Sequence, residues 1–257
     1  MSRKTTLIAQ AQEILKDATY VVALTGAGIS TPSGIPDFRS PISGVWDNVD
    51  PMQVASIYAF KHDPQPFFDW IRPLTELTVS AQPNAAHLAL AQMEKTGPLK
   101  SIITQNIDIL HSRAGSQTVY EVHGHLRNAT CMGCHQIVDL SPFLPQFIEA
   151  GTIPTCTSCG HILKPNVILF GEMLPANVLK KAQQDTLQCD VMIVAGSSLQ
   201  VEPAGDLPLL AKQTGAKLIF VNFSETHLDD KADVVIHENV VDVLPQLASI
   251  FEANGVS

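Results

Sequence analysis

Along this chain the apolar residues gather into short runs, and between the runs they thin to helical spacing. The runs Tyr20-Val21-Val22-Ala23-Leu24, Ser101-Ile102-Ile103-Thr104, Val119-Tyr120-Glu121-Val122, Val191-Met192-Ile193-Val194-Ala195, Lys217-Leu218-Ile219-Phe220-Val221 and Val234-Val235-Ile236 are rich in β-branched residues and apolar on both faces. Strands covered by helices on either side read this way. Segments 5–17, 84–96, 175–187, 203–214 and 242–253 carry the helical period, with Pro83-Asn84 and Pro175 as starts and Gly97-Pro98 as a stop. The alternation predicts an α/β fold on a doubly wound parallel sheet. Two stretches interrupt it. Residues 41–83 are rich in proline and aromatics (Trp46, Phe60, Phe67, Phe68, Trp70) with no clear strand, and residues 126–165 hold four of the five cysteines. Both are expected as insertions forming a smaller lobe.

The length of 257 residues is near the size at which one core stops growing and a second lobe forms. With 45% hydrophobic and 16% charged residues, the chain has ample material for a core. The opening MSRKTTLIAQAQEILKDA has apolar positions at helical spacing but no uninterrupted apolar stretch, so no signal peptide is expected. No run approaches the roughly 18 apolar residues of a membrane-spanning helix, and a soluble, cytoplasmic protein without membrane contact is expected. A formal charge of −9 argues against direct binding of nucleic acid, which needs a basic footprint. That charge suits a lysine-rich protein partner, or solubility alone. A monomer is expected, although the pattern itself does not report the oligomeric state.

Cys131-x-x-Cys134 and Cys156-x-x-Cys159 form two tight knuckles. Each can offer two thiolates to one ion, and together they predict a tetrahedral four-sulfur zinc site. Disulfides are disfavoured without export, and a redox reading of one CxxC explains half the pattern. Four thiolates leave no open position for water, so the site would be structural, folding a segment too short to hold itself together. His135 and His161 follow the knuckles as loop histidines, and Cys189 is expected as a buried thiol without a role.

The first strand runs into Thr25-Gly26-Ala27-Gly28-Ile29-Ser30-Thr31 and then Gly34-Ile35-Pro36-Asp37-Phe38-Arg39-Ser40. Glycines after a first strand let the backbone approach a pyrophosphate. The third glycine comes later than in the usual dinucleotide fingerprint, so a plain turn is the competing reading. No acidic residue stands at a strand end at the usual distance of about 20 residues. Further polar clusters close other strands: Gln105-Asn106-Ile107-Asp108, His123-Gly124, Gly196-Ser197-Ser198 and Asn222. In an open parallel sheet these ends converge on one crevice. A core would leave such groups unpaired at a cost of kilocalories, so they are expected to face a ligand. Taken alone, each has a capping or turn reading; Asp108 could cap a helix over 109–114.

In order along residues 18–245, these motifs, with Phe170-Gly171-Glu172 and Gly196-Ser197-Ser198-Leu199, resemble those of the sirtuins, NAD-dependent protein-lysine deacylases, and of their bacterial and archaeal branch. The resemblance implies a Rossmann-like domain of residues 1–40, 84–125 and 166–257. It also implies a small lobe in which the helical insertion 41–83 joins the zinc-ribbon module 126–165. By motif, Gly26, Ala27, Gly28, Thr31, Asp37, Phe38 and Arg39 would contact NAD, with Gly196, Ser197, Ser198 and Asn222 on phosphate and ribose and Val240 or Val241 on adenine. Gln105, Asn106, Ile107 and Asp108 would form the nicotinamide pocket, and Ile168, Phe170, Gly171 and Glu172 the cleft for an acyl-lysine peptide added as a strand. Zinc would sit on Cys131, Cys134, Cys156 and Cys159.

The implied chemistry suits these residue types. An amide resists water, but its oxygen can attack C1′ of the NAD ribose as nicotinamide leaves. Asn106 and Asp108 would hold the carboxamide, Phe38 would shield the sugar from water, and His123 would act as general base on a ribose hydroxyl. The products would be lysine, nicotinamide and O-acetyl-ADP-ribose. Family members that remove succinyl or malonyl groups carry a Tyr and an Arg three residues apart. Phe68 and Ile71 stand in those places, so short neutral acyl groups are expected, with Arg72 one residue out of register. ADP-ribosyl transfer to protein or NAD hydrolysis in the same pocket is the alternative; a binding module without turnover would show a damaged catalytic set, which this chain does not.

Overall fold

Every strand of the large sheet grows from one of the apolar runs. In this computed structural model, which describes residues 3–37, 45 and 49–254, the strands are β1 (Val21–Thr25), β2 (Leu99–Thr104), β3 (Val119–Glu121), β4 (Gly124–Cys131), β5 (Ile137–Asp139), β6 (Leu163–Val167), β7 (Val191–Ala195), β8 (Lys217–Val221) and β9 (Val234–Ile236). Six of them lie parallel in the order β3-β2-β1-β7-β8-β9. The period of two explains why both faces are apolar. Val21 and Ala23 of β1 point into one core with Leu15, Leu90 and Leu244, while Val22 and Leu24 point into the other with Ala182, Leu207 and Phe220. Helices Arg3–Lys16, Ala85–Thr96 and Val240–Ala248 cover the first face, and Ala176–Gln188 and Leu207–Gln213 cover the second. The chain leaves β1 toward β2 on one side and returns as β7 on the other, so the order reverses beside β1. At such a switch point the carboxyl ends of the strands open a crevice.

The two insertions behave differently from the sheet. Residues 49–83 form helices Pro51–Val54, Ile57–His62 and Gln65–Ser80. Phe67 and Phe68, both 1% exposed, pack there with Phe60 and Phe147 at centroid distances of 5.2–5.8 Å. Aromatic pairs at such spacing contribute beyond their buried area. Trp46 lies outside the described residues. The second insertion is a three-stranded antiparallel sheet, β5-β4-β6, with helix Leu144–Ala150 packed on helix Gln65–Ser80. Its outer limits, Gly124 and Val167, reach two residues beyond the 126–165 read from the cysteines.

Candidate active site

Backbone contact closes the floor of the crevice. Gly28 donates its N–H to the carbonyl of Gly196 at 2.8 Å, joining the loop after β1 to the loop after β7. A Cβ on Gly28 would lie 2.9 Å from that oxygen, and one on Gly196, at φ +63°, would lie 2.2 Å from the Ile29 nitrogen. Only glycine permits both the approach and the left-handed backbone. Above this floor opens a cavity of about 840 Å³, large among ligand pockets of roughly 300–1,000 Å³. Gly26, Ala27, Gly28, Thr31 and Asp37 line it from the first loop, Gln105, Asn106 and Ile107 from the end of β2, and His123 from beyond β3. Gly196, Ser197, Ser198 and Asn222 line it from β7 and β8, Val240 from the last helix, and Ile168, Phe170, Gly171 and Glu172 from the loop after β6. Val241 packs half-buried against the core beside it. Phe38 and Arg39 lie outside the described residues.

Hydrogen bonds orient these side chains from below. Gln105 Nε2 donates to Ser197 Oγ at 2.9 Å, and the Ser197 N–H donates to Asn222 Oδ1 at 2.9 Å. Asn222 is buried, and its Nδ2 has no partner among the described residues. A buried donor left unmatched costs about 1–3 kcal/mol, so a ligand with acceptors fits here, as a nucleotide ribose or phosphate would. Asn106 Nδ2 donates to the Gly26 carbonyl and to Ser30 Oγ, both at 3.1 Å. Asp108 lines an adjoining small cavity with Ala27, Asn106 and Ile107. It accepts from Ser30 Oγ at 2.6 Å and from the Leu110 N–H at 2.9 Å, so it faces that small cavity and also takes the first N–H of helix Leu110–Arg113. Burial pushes the Asp108 carboxyl above its usual range, against the hydrogen bonds from Ser30 and Leu110.

His123 Nδ1 lies 3.1 Å from the Gln105 carbonyl oxygen. A carbonyl can only accept, so the neutral ring carries its proton on Nδ1, and Nε2 keeps its lone pair. Burial pushes the imidazole below its ordinary 6.5, the Gln105 bond opposing, so the base form persists at neutral pH.

The knuckles of the small lobe converge as well. The four Sγ atoms lie within 4.8 Å of one another, with Cys131–Cys159 at 3.3 Å and Cys134–Cys156 at 3.8 Å. Four sulfurs about 2.3 Å from a zinc ion stand roughly 3.8 Å apart, so the cluster fits the ion. The N–H groups of Cys134 and Gly133 draw the Cys131 thiol down to about 6, toward the thiolate a metal needs. Neither His135 nor His161 joins the cluster; the His161 ring lies over Gly133 and bonds the Cys159 carbonyl. Cys189 is buried with its thiol pushed up to about 12, and so inert.

Comparison with known proteins places this arrangement. The family model described as the Sir2 family matches residues 26–203. This chain belongs to the Sir2 family. It is similar to NAD-dependent protein deacylase 2 of Archaeoglobus fulgidus, 45% identical across 93% of this chain and 94% of that one. It is also similar to the NAD-dependent protein deacetylase of Thermodesulfovibrio yellowstonii, 42% identical across 96% of each. A solved Sir2 structure with a deacetylated p53 peptide and 3′-O-acetyl-ADP-ribose matches with TM-score 0.88 at 36% identity, over 97% of this chain and 99% of that one.

Some cavity residues of this Sir2 chain carry no motif. Trp70 and Ile71, from helix Gln65–Ser80, form part of the wall. Phe68 does not reach it and stays in the aromatic cluster. Arg72 turns away: its Nε donates to the Ile148 carbonyl at 2.9 Å and Nη2 to Glu149 at 3.3 Å, capping the end of helix Leu144–Ala150. A helical period marked that face as buried, but nothing in it told cavity wall from core. Ser30, which ties Asn106 to Asp108, stood inside the glycine motif without a role of its own; being 1% exposed next to two polar partners is what reveals it.

Proposed function

We propose that this Sir2-family chain is an NAD-dependent protein-lysine deacetylase for short neutral acyl groups, yielding nicotinamide, free lysine and O-acetyl-ADP-ribose. The observation that carries the reading is His123, whose Nδ1 is fixed by the Gln105 carbonyl while the ring lines the cavity. NAD, when bound, supplies an electrophilic ribose carbon and nicotinamide as leaving group. Asn222 Nδ2 and the loops at Gly26–Gly28 and Gly196–Ser198 hold its ribose and phosphates, with Thr31, Asp37 and Val240 at their margins. Phe38 and Arg39 are assigned to the cofactor by their motif. Asn106, its Nδ2 held by Gly26 and Ser30, and Asp108 beside it would take the carboxamide. His123 Nε2 takes the proton of a ribose hydroxyl, a role that typically contributes 10²–10⁴-fold.

The substrate passes Ile168, Phe170, Gly171 and Glu172, and its acyl group meets Ile71 and Trp70 rather than a cation. The guanidinium of Arg72 is committed to the Ile148 and Glu149 carbonyls, which favours neutral acyl chains. On this reading the chain divides into a Rossmann-like domain (1–40, 84–125, 166–257) and a lobe of 41–83 and 126–165, with the cleft between them. Among the described residues no helix is long and apolar enough to cross a membrane; the reading is of a cytoplasmic monomer acting on acylated protein, without nucleic acid.

The test is incubation with NAD and matched acetyl-, propionyl- and succinyl-lysine peptides, with products identified by mass. Acetyl-ADP-ribose, formed much faster than any succinyl product, is expected. ADP-ribosylated protein or free ADP-ribose as the sole product would overturn the reaction. Faster desuccinylation would overturn the pocket.

A further inference from the structure

The loop that carries the substrate cleft is anchored by a buried cation outside the cavity. Lys164 lies in β6 and is 8% exposed. Its Nζ has three donors and three acceptors in reach: the Val167 carbonyl at 2.9 Å, Glu172 Oε2 at 2.9 Å and the Pro165 carbonyl at 3.3 Å. All three belong to residues 165–172, the segment that enters the cavity. The same carboxylate oxygen of Glu172 accepts from the Leu169 N–H at 2.8 Å, and the Glu172 N–H returns to the Leu169 carbonyl at 3.0 Å. The turn at Leu169–Glu172 is thus closed on itself and fastened to the strand before it. An ammonium this deep leaves water only if its partners are fixed, so its bonds set the curvature of the loop.

We propose that Lys164 is a positioning residue for the acyl-lysine peptide: through Val167 and Glu172 it holds the cleft loop in the shape that binds substrate. This rests on the deacetylase reading above. Lys164 itself does not line the cavity, so its effect is carried by the loop. NAD meets other walls, the loops after β1, β2, β7 and β8, and its binding is independent of Lys164.

Lys164→Met in the full, zinc-loaded chain keeps the length and packing of the side chain and removes the charge. Peptide affinity is measured by anisotropy of a fluorescent acetyl-lysine peptide, and KM and kcat by turnover. The expected result is a rise of tenfold or more in peptide Kd and KM, with KM for NAD and kcat at saturating peptide within threefold of wild type. Glu172→Gln keeps an acceptor for Leu169 but loses the ion pair, and raises peptide KM at least threefold. The double variant binds peptide no more weakly than Lys164→Met, because the two groups act as one unit. Unchanged peptide affinity in Lys164→Met, a fall in kcat at constant KM, or additive effects in the double variant overturns the proposal. If Lys164→Met does not fold, Glu172→Gln decides alone: an unchanged peptide KM refutes it. A wild-type chain that binds no acetyl-lysine peptide refutes the deacetylase reading instead.

Discussion

At Ile109 a β-branched side chain is held at φ 59°, a region such residues avoid at a cost of about 1–3 kcal/mol. Leu199 stands at φ 59° as well. Each directly follows a predicted ligand residue, Asp108 in one case and Ser198 in the other, so two of the three non-glycine residues at positive φ among the described ones sit in the loops that form the crevice; the third, His135 at φ 60°, lies in a cysteine knuckle. The strained turn at Ile109 lets Asp108 Oδ1 accept from the Leu110 N–H two residues on, while its other oxygen takes the Ser30 hydroxyl. His123 is fixed by geometry without strain, through the Gln105 carbonyl. Its lowered pKa fixes the direction of the pH dependence. Neutral imidazole is the working form, so kcat/KM holds through pH 6.5 and its acid limb lies below that value. His123→Ala is expected to cut deacetylation by 10²–10⁴-fold while NAD binding persists. A variant that deacetylates as wild type, or an acid limb centred above pH 7, would remove His123 from the reaction. Persistent ADP-ribosyl transfer by the same variant would show that transfer does not need this base.

Among elements, those legible in the sequence were the ones whose burial writes a pattern. β7, β8 and β9 begin and end where the runs read from the sequence do, because nearly every position is buried and apolar, the exposed Lys217 at the start of β8 excepted. β4, with the sequence GHLRNATC, carries no such pattern, since most of its residues are only half-buried and only Gly124, Ala129 and Cys131 are fully covered. The strand-end residues that line the cavity were legible as polar residues in places where a core would reject them. Trp70 and Ile71 were not, since an apolar wall and an apolar core look alike along one helix. The small sheet is therefore expected to depend on the metal its four cysteines are placed to bind. Removing zinc with a strong chelator is expected to release one ion per chain and to raise hydrogen exchange across 124–167, with β1, β2 and β7 staying protected. Because β6 leads straight into the cleft loop, peptide turnover falls in parallel with the zinc lost. A chain that releases its zinc without faster exchange in this sheet would show that the knuckles do not hold the lobe.

For the whole molecule, the telling feature is a pair of neutral histidines sealed under the crevice. His87 and His111 are 0% and 2% exposed, with ring centroids 4.8 Å apart. His111 Nε2 bonds Thr25 Oγ1 at 2.9 Å, and His87 Nε2 lies 3.4 Å from Ser30 Oγ. Burial lowers His87 to about 4, and lowers His111 in the same direction. In the unfolded chain both return to about 6.5, so the unfolded state takes up protons first as the pH falls. Stability is full above pH 6.5 and is lost below it; for His87 the loss levels off near pH 4, once the folded form is protonated too. At about 1.4 kcal/mol per unit of pKa, His87 alone accounts for roughly 3 kcal/mol. Asp108 works the other way, since its raised carboxyl favours proton uptake by the folded state. Asp233, held at about 2 chiefly by Lys212 and the Leu218 N–H against its burial, titrates below this window. Melting temperature is therefore expected to fall steeply between pH 6.5 and 4, and less steeply in His87→Gln, which removes one titrating group. Equal slopes in the two proteins would show that His87 is not a source of the acid sensitivity, and that protons reach it in the folded state as readily as in the unfolded one.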